Sequence, residues 1–146
     1  MQPAVTADEL AHLLANAPFA RIYDFRLTGI ADGQCTILVP FKDGFERPDG
    51  ILSGPVFMAA ADVAMWLAIK TKLGLADGSV TAEMKTSFLS GAKNEDIHCT
   101  ARVLKCGQRL IYGVAECVNQ GGTLLTHHTL TYIRSHSAPK SRSTEA

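Results

Sequence analysis

The sequence predicts an α+β fold in which a curved antiparallel sheet wraps around one long central helix. Residues 54–74 have the length of a helix of about five turns, and the segment is apolar on all sides as far as its closing lysines. Two strand-like runs precede this segment and four follow it, with glycine-containing turns between them. A helix without a polar face is buried all round, and a single curved sheet can cover it.

The composition excludes several classes of protein. The chain has 146 residues, 47% hydrophobic and 19% charged, which is typical of one folded domain. Fourteen basic and fourteen acidic residues leave no net charge to attract nucleic acid or an anionic membrane. No apolar run reaches the roughly 20 residues of a membrane span, and residues 1–10 lack signal-peptide features. We therefore expect a cytoplasmic protein with no nucleic-acid or membrane partner.

The elements before the central helix follow from local patterns. Thr6 and Glu9 are spaced as a capping box at the start of a short amphipathic helix. Two strands joined by an Asp-Gly turn come next, and then a polar loop. The predicted ranges are 6–16 for the helix, 20–30 and 34–41 for the strands, and 42–50 for the loop. We expect one domain over residues 1–135 and a polar tail over 136–146.

The central helix contains one residue that does not fit its surroundings. Proline suits the first helical turn, so we expect Gly54 as the N-cap and Pro55 as the first helical residue. Asp62 is the only charge between Pro55 and Ile69. A carboxylate among apolar neighbours must be paired, hydrogen-bonded or exposed at a cavity. Asp62 is therefore either a structural contact across a subunit interface or a functional group.

Four strands are predicted after the helix, at 80–89, 96–105, 108–119 and 123–134. In the first of them Ala82 and Met84 alternate with Thr81 and Glu83, which indicates a half-buried strand with Thr81 on the face opposite to Met84.

Neither the cysteines nor the histidines form a metal-binding pattern. Four cysteines occur without a CxxC pair, and their apolar surroundings indicate reduced, buried thiols. His127 and His128 are adjacent in a predicted strand, so their side chains point to opposite faces and cannot easily share an ion. We expect no metal site.

Over residues 18–134 the chain resembles the hotdog-fold acyl-CoA thioesterases, most closely the PaaI-like (phenylacetic acid degradation) branch. The order and spacing of several short segments carry this resemblance. They are Gly50, Ser53-Gly54-Pro55, Ala61-Asp62-Val63-Ala64, Val80-Thr81, Phe88-Leu89, Gly107-Gln108-Arg109-Leu110, His127 and Thr131-Tyr132. The chain departs from the family pattern twice. Ser53 stands where relatives have His, and Arg47 stands where many have Asn or Gln.

The resemblance implies hydrolysis of an acyl-CoA, with an aromatic or medium-chain acyl group, to the free acid and CoA. No cofactor is implied, because CoA is part of the substrate. Asp62 would be the base or nucleophile, and the backbone N–H of Gly54 would polarise the thioester carbonyl. Thr81 would hold the water or orient Asp62, and Ser53 would either join the catalytic set or only shape the helix start.

The same resemblance implies a set of substrate-binding residues. Arg47 would replace the usual amide side chain. Pro55 has no N–H, so the N–H groups of Gly54 and Val56 are the candidate donors at the helix start. Trp66 either forms a wall of the acyl pocket or fills the core. The remaining residues are either phosphate-binding or solvated strand ends, and they are Arg102, Lys105 and Arg109.

The spacing between Gly54 and Asp62 adds a requirement if both residues take part in the reaction. Gly54 and Asp62 are eight residues apart, which is about 12 Å along a helix. They cannot both contact one reacting carbon from the same chain. If both act, an obligate homodimer must pair Gly54 of one subunit with Asp62 of the other, and the family also forms tetramers by pairing dimers.

Two other functions remain open from the sequence. Ser53 and Arg47 leave room for a hotdog dimer that binds an acyl-CoA without hydrolysing it. A hotdog dehydratase acting on an enoyl-CoA would need a His-Asp pair near the helix start, which this sequence lacks. A serine hydrolase is disfavoured because there is no GxSxG motif.

Overall fold

The computed structural model describes residues 1–135, and the predicted tail at 136–146 lies outside them. The described chain contains α1 (Ala7–Asn16), α2 (Gly54–Leu73) and six strands, with short 3₁₀ turns at Phe19–Ile22 and Asp43–Phe45. The strands are β1 (Arg26–Ala31), β2 (Gln34–Val39), β3 (Val80–Phe88), β4 (Ile97–Cys106), β5 (Leu110–Val118) and β6 (Leu124–Ile133).

The six strands form one sheet in the order β1-β2-β4-β5-β6-β3, and every neighbouring pair is antiparallel. The sheet packs on α2, and inward-facing side chains such as Ile37, Cys99, Ala115 and Leu130 are almost fully buried. This confirms the predicted α+β hotdog architecture. Of the helices in residues 1–135, none has the length and apolar character needed to cross a membrane.

One side of α2 is not covered by the sheet. Pro55 and Met58 are exposed, and Asp62 and Trp66 are only partly buried. These positions follow each other at helical spacing, so they form one open stripe, named here the α2 stripe. The prediction that α2 is buried on every side is therefore wrong for a single chain, because the sheet covers only the opposite side.

The start of α2 differs by one residue from the prediction. Ser53 is the N-cap, with an extended backbone (φ −72°, ψ 146°), and Gly54 is the first helical residue. The expected N-cap role of Gly54 is wrong. A residue before proline is pushed out of the helical region partly by its Cβ, which glycine lacks. The Ser53 side chain makes no capping hydrogen bond.

The first predicted strand begins too early. Instead of a strand from residue 20, the chain makes the turn Phe19–Ile22, and β1 begins at Arg26. The amides of Tyr23 and Asp24 both donate to the Ala20 carbonyl, at 3.2 and 3.1 Å, and Asp24 has a φ of 57°. Such a turn cannot continue as a strand. The other five strands lie within two residues of their predicted bounds, and the capping box of α1 is present.

The edge strand β3 also differs from its prediction. Most of its residues are exposed rather than half-buried, because no strand pairs with its outer edge in the described chain. The pairing with β6 shifts between Thr81 and Glu83, which leaves Ala82 as a β-bulge. Because of this extra residue, Thr81 lies on the same face as Met84, towards α2, and not opposite to it as predicted.

Sheet and helix approach each other closely at Gly113 in β5. A Cβ atom at this position would collide with the Met65 side chain of α2 and with the Arg102 carbonyl oxygen of β4. The position therefore sets how closely α2 packs on the sheet.

We expect Gly113→Ala to lower the free energy of unfolding by about 1–3 kcal/mol, the usual cost of an overpacked core. Thermal or denaturant unfolding measures this. Gly29→Ala is the matched control, since a Cβ there meets nothing within 4 Å. Equal melting temperatures for the two variants would contradict the close approach at Gly113.

Candidate active site

Asp62 lies in the third turn of α2, on the α2 stripe, and its carboxylate is held by two hydroxyl groups. The hydroxyl of Thr81 in β3 donates to Oδ1 at 2.6 Å, and that of Tyr132 in β6 donates to the same oxygen at 2.7 Å. The Tyr132 hydroxyl also lies 2.9 Å from the Asp62 backbone carbonyl. No ion pair involves Asp62 within residues 1–135. Neutral hydrogen-bond donors thus hold one oxygen of this carboxylate, Oδ1.

Tyr132 is a contact of Asp62 that the sequence reasoning did not assign. It lies on the inner face of β6 and only 3% of its surface is exposed. Burial, together with the neighbouring Asp62 charge, raises the pKa of the Tyr132 phenol well above its usual range. Tyr132 therefore remains a protonated donor at physiological pH. The alternation of residues in β6 could have placed Tyr132 on the inner face of the sheet. Its contact with Asp62 could be identified only from the tertiary structure.

A mainly apolar cavity of about 390 Å³ lies beside Asp62. Phe19, Val63, Trp66 and Val80 supply its apolar lining, and Ser79, Thr81 and Tyr132 its polar lining. The Trp66 ring lies 6.4 Å from that of Phe19, and Lys70 Nζ lies 5.3 Å from the Trp66 ring centre. Trp66 thus lines this cavity and also packs against the hydrophobic core, and its contact with an acyl group stays a prediction.

A second cavity, of about 450 Å³, lies at the start of α2 and includes both Gly54 and Arg47. Phe57 and Phe88 contribute aromatic walls, and a Cβ on Gly54 would lie 3.1 Å from the Phe88 ring. Glycine therefore allows the Phe88 ring to lie close to the helix N-terminus. The Arg47 guanidinium is 2.9 Å from the carboxylate of Asp49, and the Arg47 side chain is mostly exposed.

Only one of the two candidate amide donors is free at this N-terminus. The Val56 N–H donates to the Ser53 carbonyl at 3.2 Å, so the expectation that it is available is wrong. Pro55 has no N–H, and the Gly54 N–H has no acceptor among residues 1–135. A first-turn amide with a positive helix end is suited to an oxygen that develops negative charge.

The two cavities do not join Asp62 and Gly54 within one chain. Asp62 lines one cavity and Gly54 lines the other, about 12 Å apart along the same helix. Each cavity alone therefore contains one of the two groups that the expected reaction needs, either the Asp62 carboxylate or the Gly54 N–H.

The three predicted phosphate-binding residues line neither cavity. Arg102 and Lys105 are exposed on β4, where they pair in register with Val114 and Tyr112 of β5. Arg109 is exposed in the turn before β5. Contact of these residues with phosphate stays a prediction.

The histidines and cysteines of residues 1–135 line neither cavity. His127 Nδ1 lies 2.8 Å from the Glu116 carboxylate. The ring nitrogens of the buried His128 are hydrogen-bonded to the hydroxyls of Thr86 and Thr126, each at 2.8 Å. The two rings thus lie on opposite faces of β6, as expected. Within residues 1–135 no group of three or more His, Cys, Asp or Glu side chains is arranged to hold a metal ion. The four cysteines are free, and all but Cys106 are buried.

Comparison with known proteins links this geometry to one family. The family model of the thioesterase superfamily matches residues 49–126, a range that contains Gly54, Asp62 and Thr81. A curated protein of Saccharolobus solfataricus named "Putative esterase" is 28% identical over 104 residues, which are 71% of this chain and 74% of that protein.

Solved structures give the same fold at lower identity. The PaaI protein of the Escherichia coli phenylacetic acid degradation operon superimposes with a TM-score of 0.80 at 17% identity, covering 89% of this chain and 94% of that one. A Streptococcus pneumoniae hypothetical thioesterase solved with coenzyme A superimposes with a TM-score of 0.74 at 14% identity, covering 89% and 97%. Since the family match spans more than half of its length, the chain belongs to the thioesterase superfamily.

Proposed function

We propose that this protein is a PaaI-like acyl-CoA thioesterase that hydrolyses its substrate to a free acid and CoA in a site shared by two subunits. The observation that carries the proposal is the Asp62 carboxylate, fixed by Thr81 and Tyr132 at the wall of an apolar cavity. Membership of the thioesterase superfamily supports the hydrolase class. The coenzyme A in the Streptococcus pneumoniae structure supports CoA as the thiol carrier.

The proposed reaction uses a carboxylate, a water molecule and a helix N-terminus. Asp62 accepts a proton from water as the water oxygen bonds to the thioester carbonyl carbon. The carbonyl electron pair moves to oxygen, where the N–H of Gly54 of the partner subunit stabilises the negative charge. When the carbonyl re-forms, the C–S bond breaks and the thiolate takes the proton back from Asp62. Acid and thiol are the products, and no cofactor takes part.

A covalent route is the second form of the same proposal. The Asp62 carboxylate attacks the carbonyl carbon itself and expels the thiolate, and water then cleaves the resulting mixed anhydride. Both routes need Asp62 ionised, accessible and opposite an oxyanion donor.

Three features support a shared site in an obligate homodimer. The α2 stripe is open, and β3 has an unpaired edge among the described residues. One cavity contains Asp62 and the other contains Gly54, so the two groups that the reaction needs come together only when two chains pair. In a two-fold dimer every contact occurs twice, so pairing Gly54 of one subunit with Asp62 of the other produces two equal sites. Pairing of such dimers would give the tetramer.

The lining beside Asp62 supports an apolar acyl group. Phe19 and Trp66 offer aromatic surfaces, and Val63 and Val80 offer aliphatic ones. A phenyl ring or a medium-length alkyl chain would bury its surface there, at about 25 cal/mol per Å².

Two observations support the alternative, a dimer that binds acyl-CoA without hydrolysing it. The Ser53 side chain makes no capping bond, and the Arg47 guanidinium is engaged by Asp49. Neither side chain matches the His or amide that the family usually places at these positions. Turnover of acyl-CoA with release of free thiol distinguishes the two functions.

The central prediction concerns Asp62→Asn, which keeps the size of the side chain but removes the base or nucleophile. We expect turnover of acyl-CoA to fall by about 10²–10⁴-fold. The melting temperature and the affinity for acyl-CoA should stay close to wild type. Thiol release measures turnover, and calorimetry measures binding.

Glu83→Gln is the matched control for this variant, because it changes an exposed acidic residue of β3, two positions from Thr81. Ser53→Ala tests the helix start and should lower turnover less than tenfold, a factor worth about 1.4 kcal/mol. If Asp62→Asn retained wild-type turnover per folded protein, Asp62 would be structural and the proposed function would fail.

The second prediction concerns assembly. Sedimentation velocity at micromolar concentration should show a dimer or a tetramer and no monomer, because the shared site requires two chains. A stable monomer that still hydrolyses acyl-CoA would rule out the shared site.

The third prediction concerns the nucleotide end of the substrate. Arg109→Glu should raise KM for acyl-CoA and hardly change KM for a short thioester without the nucleotide. Arg26→Glu, a charge reversal on the edge strand β1, which β2 and β4 separate from β5, is the control. Equal losses on both thioesters with Arg109→Glu would place the phosphates elsewhere.

A further inference from the structure

The structure points to a positioning residue for this reaction, and the inference rests on the proposed function. We propose that Tyr132 holds Oδ1 of Asp62 and thereby reserves Oδ2 as the oxygen that acts on water or on the thioester. In this scheme Tyr132 does not contact the reacting atoms of the thioester or the water; it acts through Asp62.

The hydrogen bonds around Asp62 are distributed unequally between its two oxygens. Oδ1 accepts from both Thr81 and Tyr132, at 2.6 and 2.7 Å. Oδ2 receives no hydrogen bond from residues 1–135. An oxygen with two short hydrogen bonds has little remaining capacity to accept a proton, so the reactive lone pairs are those of Oδ2.

Tyr132 is the more firmly held of the two donors. It is buried on an interior strand, where it pairs with Ile111 of β5 on one side and Thr81 of β3 on the other. Thr81 is exposed on an edge strand. The Tyr132 hydroxyl also contacts the Asp62 backbone carbonyl at 2.9 Å, so it binds the helix and its carboxylate together.

Holding Oδ1 in this way fixes the rotation of the carboxyl group. The terminal torsion of an aspartate is broad and roughly two-fold, so an unheld carboxylate samples many orientations. Catalysis depends on reacting atoms held near 3–3.5 Å, and small misplacements cost large factors in rate. Removing the phenol hydroxyl should therefore affect the chemical step more than substrate binding.

The test is Tyr132→Phe, which keeps the ring and removes the hydroxyl. We expect kcat for acyl-CoA to fall by about 10–100-fold, with KM within about twofold of wild type. In an Asp62→Asn background the same substitution should cause no further loss, because its effect passes through Asp62. Tyr112→Phe, at an exposed position of β5, is the matched control and should keep wild-type kcat.

Thr81→Val applies the same test to the second donor at an exposed edge position, where folding is less at risk. It should also lower kcat with little change in KM and add nothing in the Asp62→Asn background. For either variant, an unchanged kcat, or a loss that persists in full without the Asp62 carboxylate, would overturn the inference. Full activity of Asp62→Asn alone would instead overturn the proposed function, so the two failures are distinguishable.

Discussion

The burial of the apolar surface of α2 is the constraint on which the rest of this structure depends. Its buried residues include Phe57, Ala60, Met65 and Ile69, and they belong to the same core as the inward-facing side chains of the sheet. Burial of apolar surface stabilises a fold by about 25 cal/mol per Å², so covering this helix favours the packing of the sheet against it. One sheet covers one side, so the α2 stripe, with Asp62 in it, is left as the surface on which function can be built.

The approach of β3 to Asp62 is controlled from the far end of α2. Lys70 is buried and its ammonium donates to the carbonyl oxygens of Leu75 and Asp77, at 3.2 and 2.8 Å. Burial lowers the pKa of Lys70, and the Asp77 charge partly opposes this. The backbone N–H and the hydroxyl of Ser79 in turn donate hydrogen bonds to the Asp77 carboxylate. These contacts order the connection after α2, so that β3 begins at the level of the helix where Asp62 lies.

Much of this arrangement was readable from the sequence because local patterns encode it. The capping box of Thr6 and Glu9, the helix through Asp62 and most strand bounds follow from periodicity and turn residues. What could not be read depends on contacts between distant segments. The partner Tyr132 is 70 residues from Asp62, and only the sheet order brings β6 and β3 to the same side of the helix.

Two predictions were wrong by one residue, the start of α2 and the face on which Thr81 lies, and both have a local physical cause. Gly54 lies in the helix because it lacks the Cβ that restricts other residues before proline, a case that average preferences do not cover. Thr81 was placed on the wrong face because a regular alternation was continued through Ala82. Sequence periodicity gives no sign of a single bulged residue when its side chain is small and exposed.

The bulge at Ala82 makes the site sensitive to the number of residues in β3 as well as to their identity. Ala82 is exposed, so a codon change there exchanges one solvent-facing side chain for another and leaves the pairing intact. An in-frame loss of the same codon would remove the bulge and place Thr81 directly before Glu83, so Thr81 would stay on the inner face, opposite Tyr132. In the evolution of this gene, a one-residue deletion at this point would thus keep Thr81 beside Asp62, whereas an insertion would either enlarge the bulge or move Thr81 out of its pairing with Tyr132.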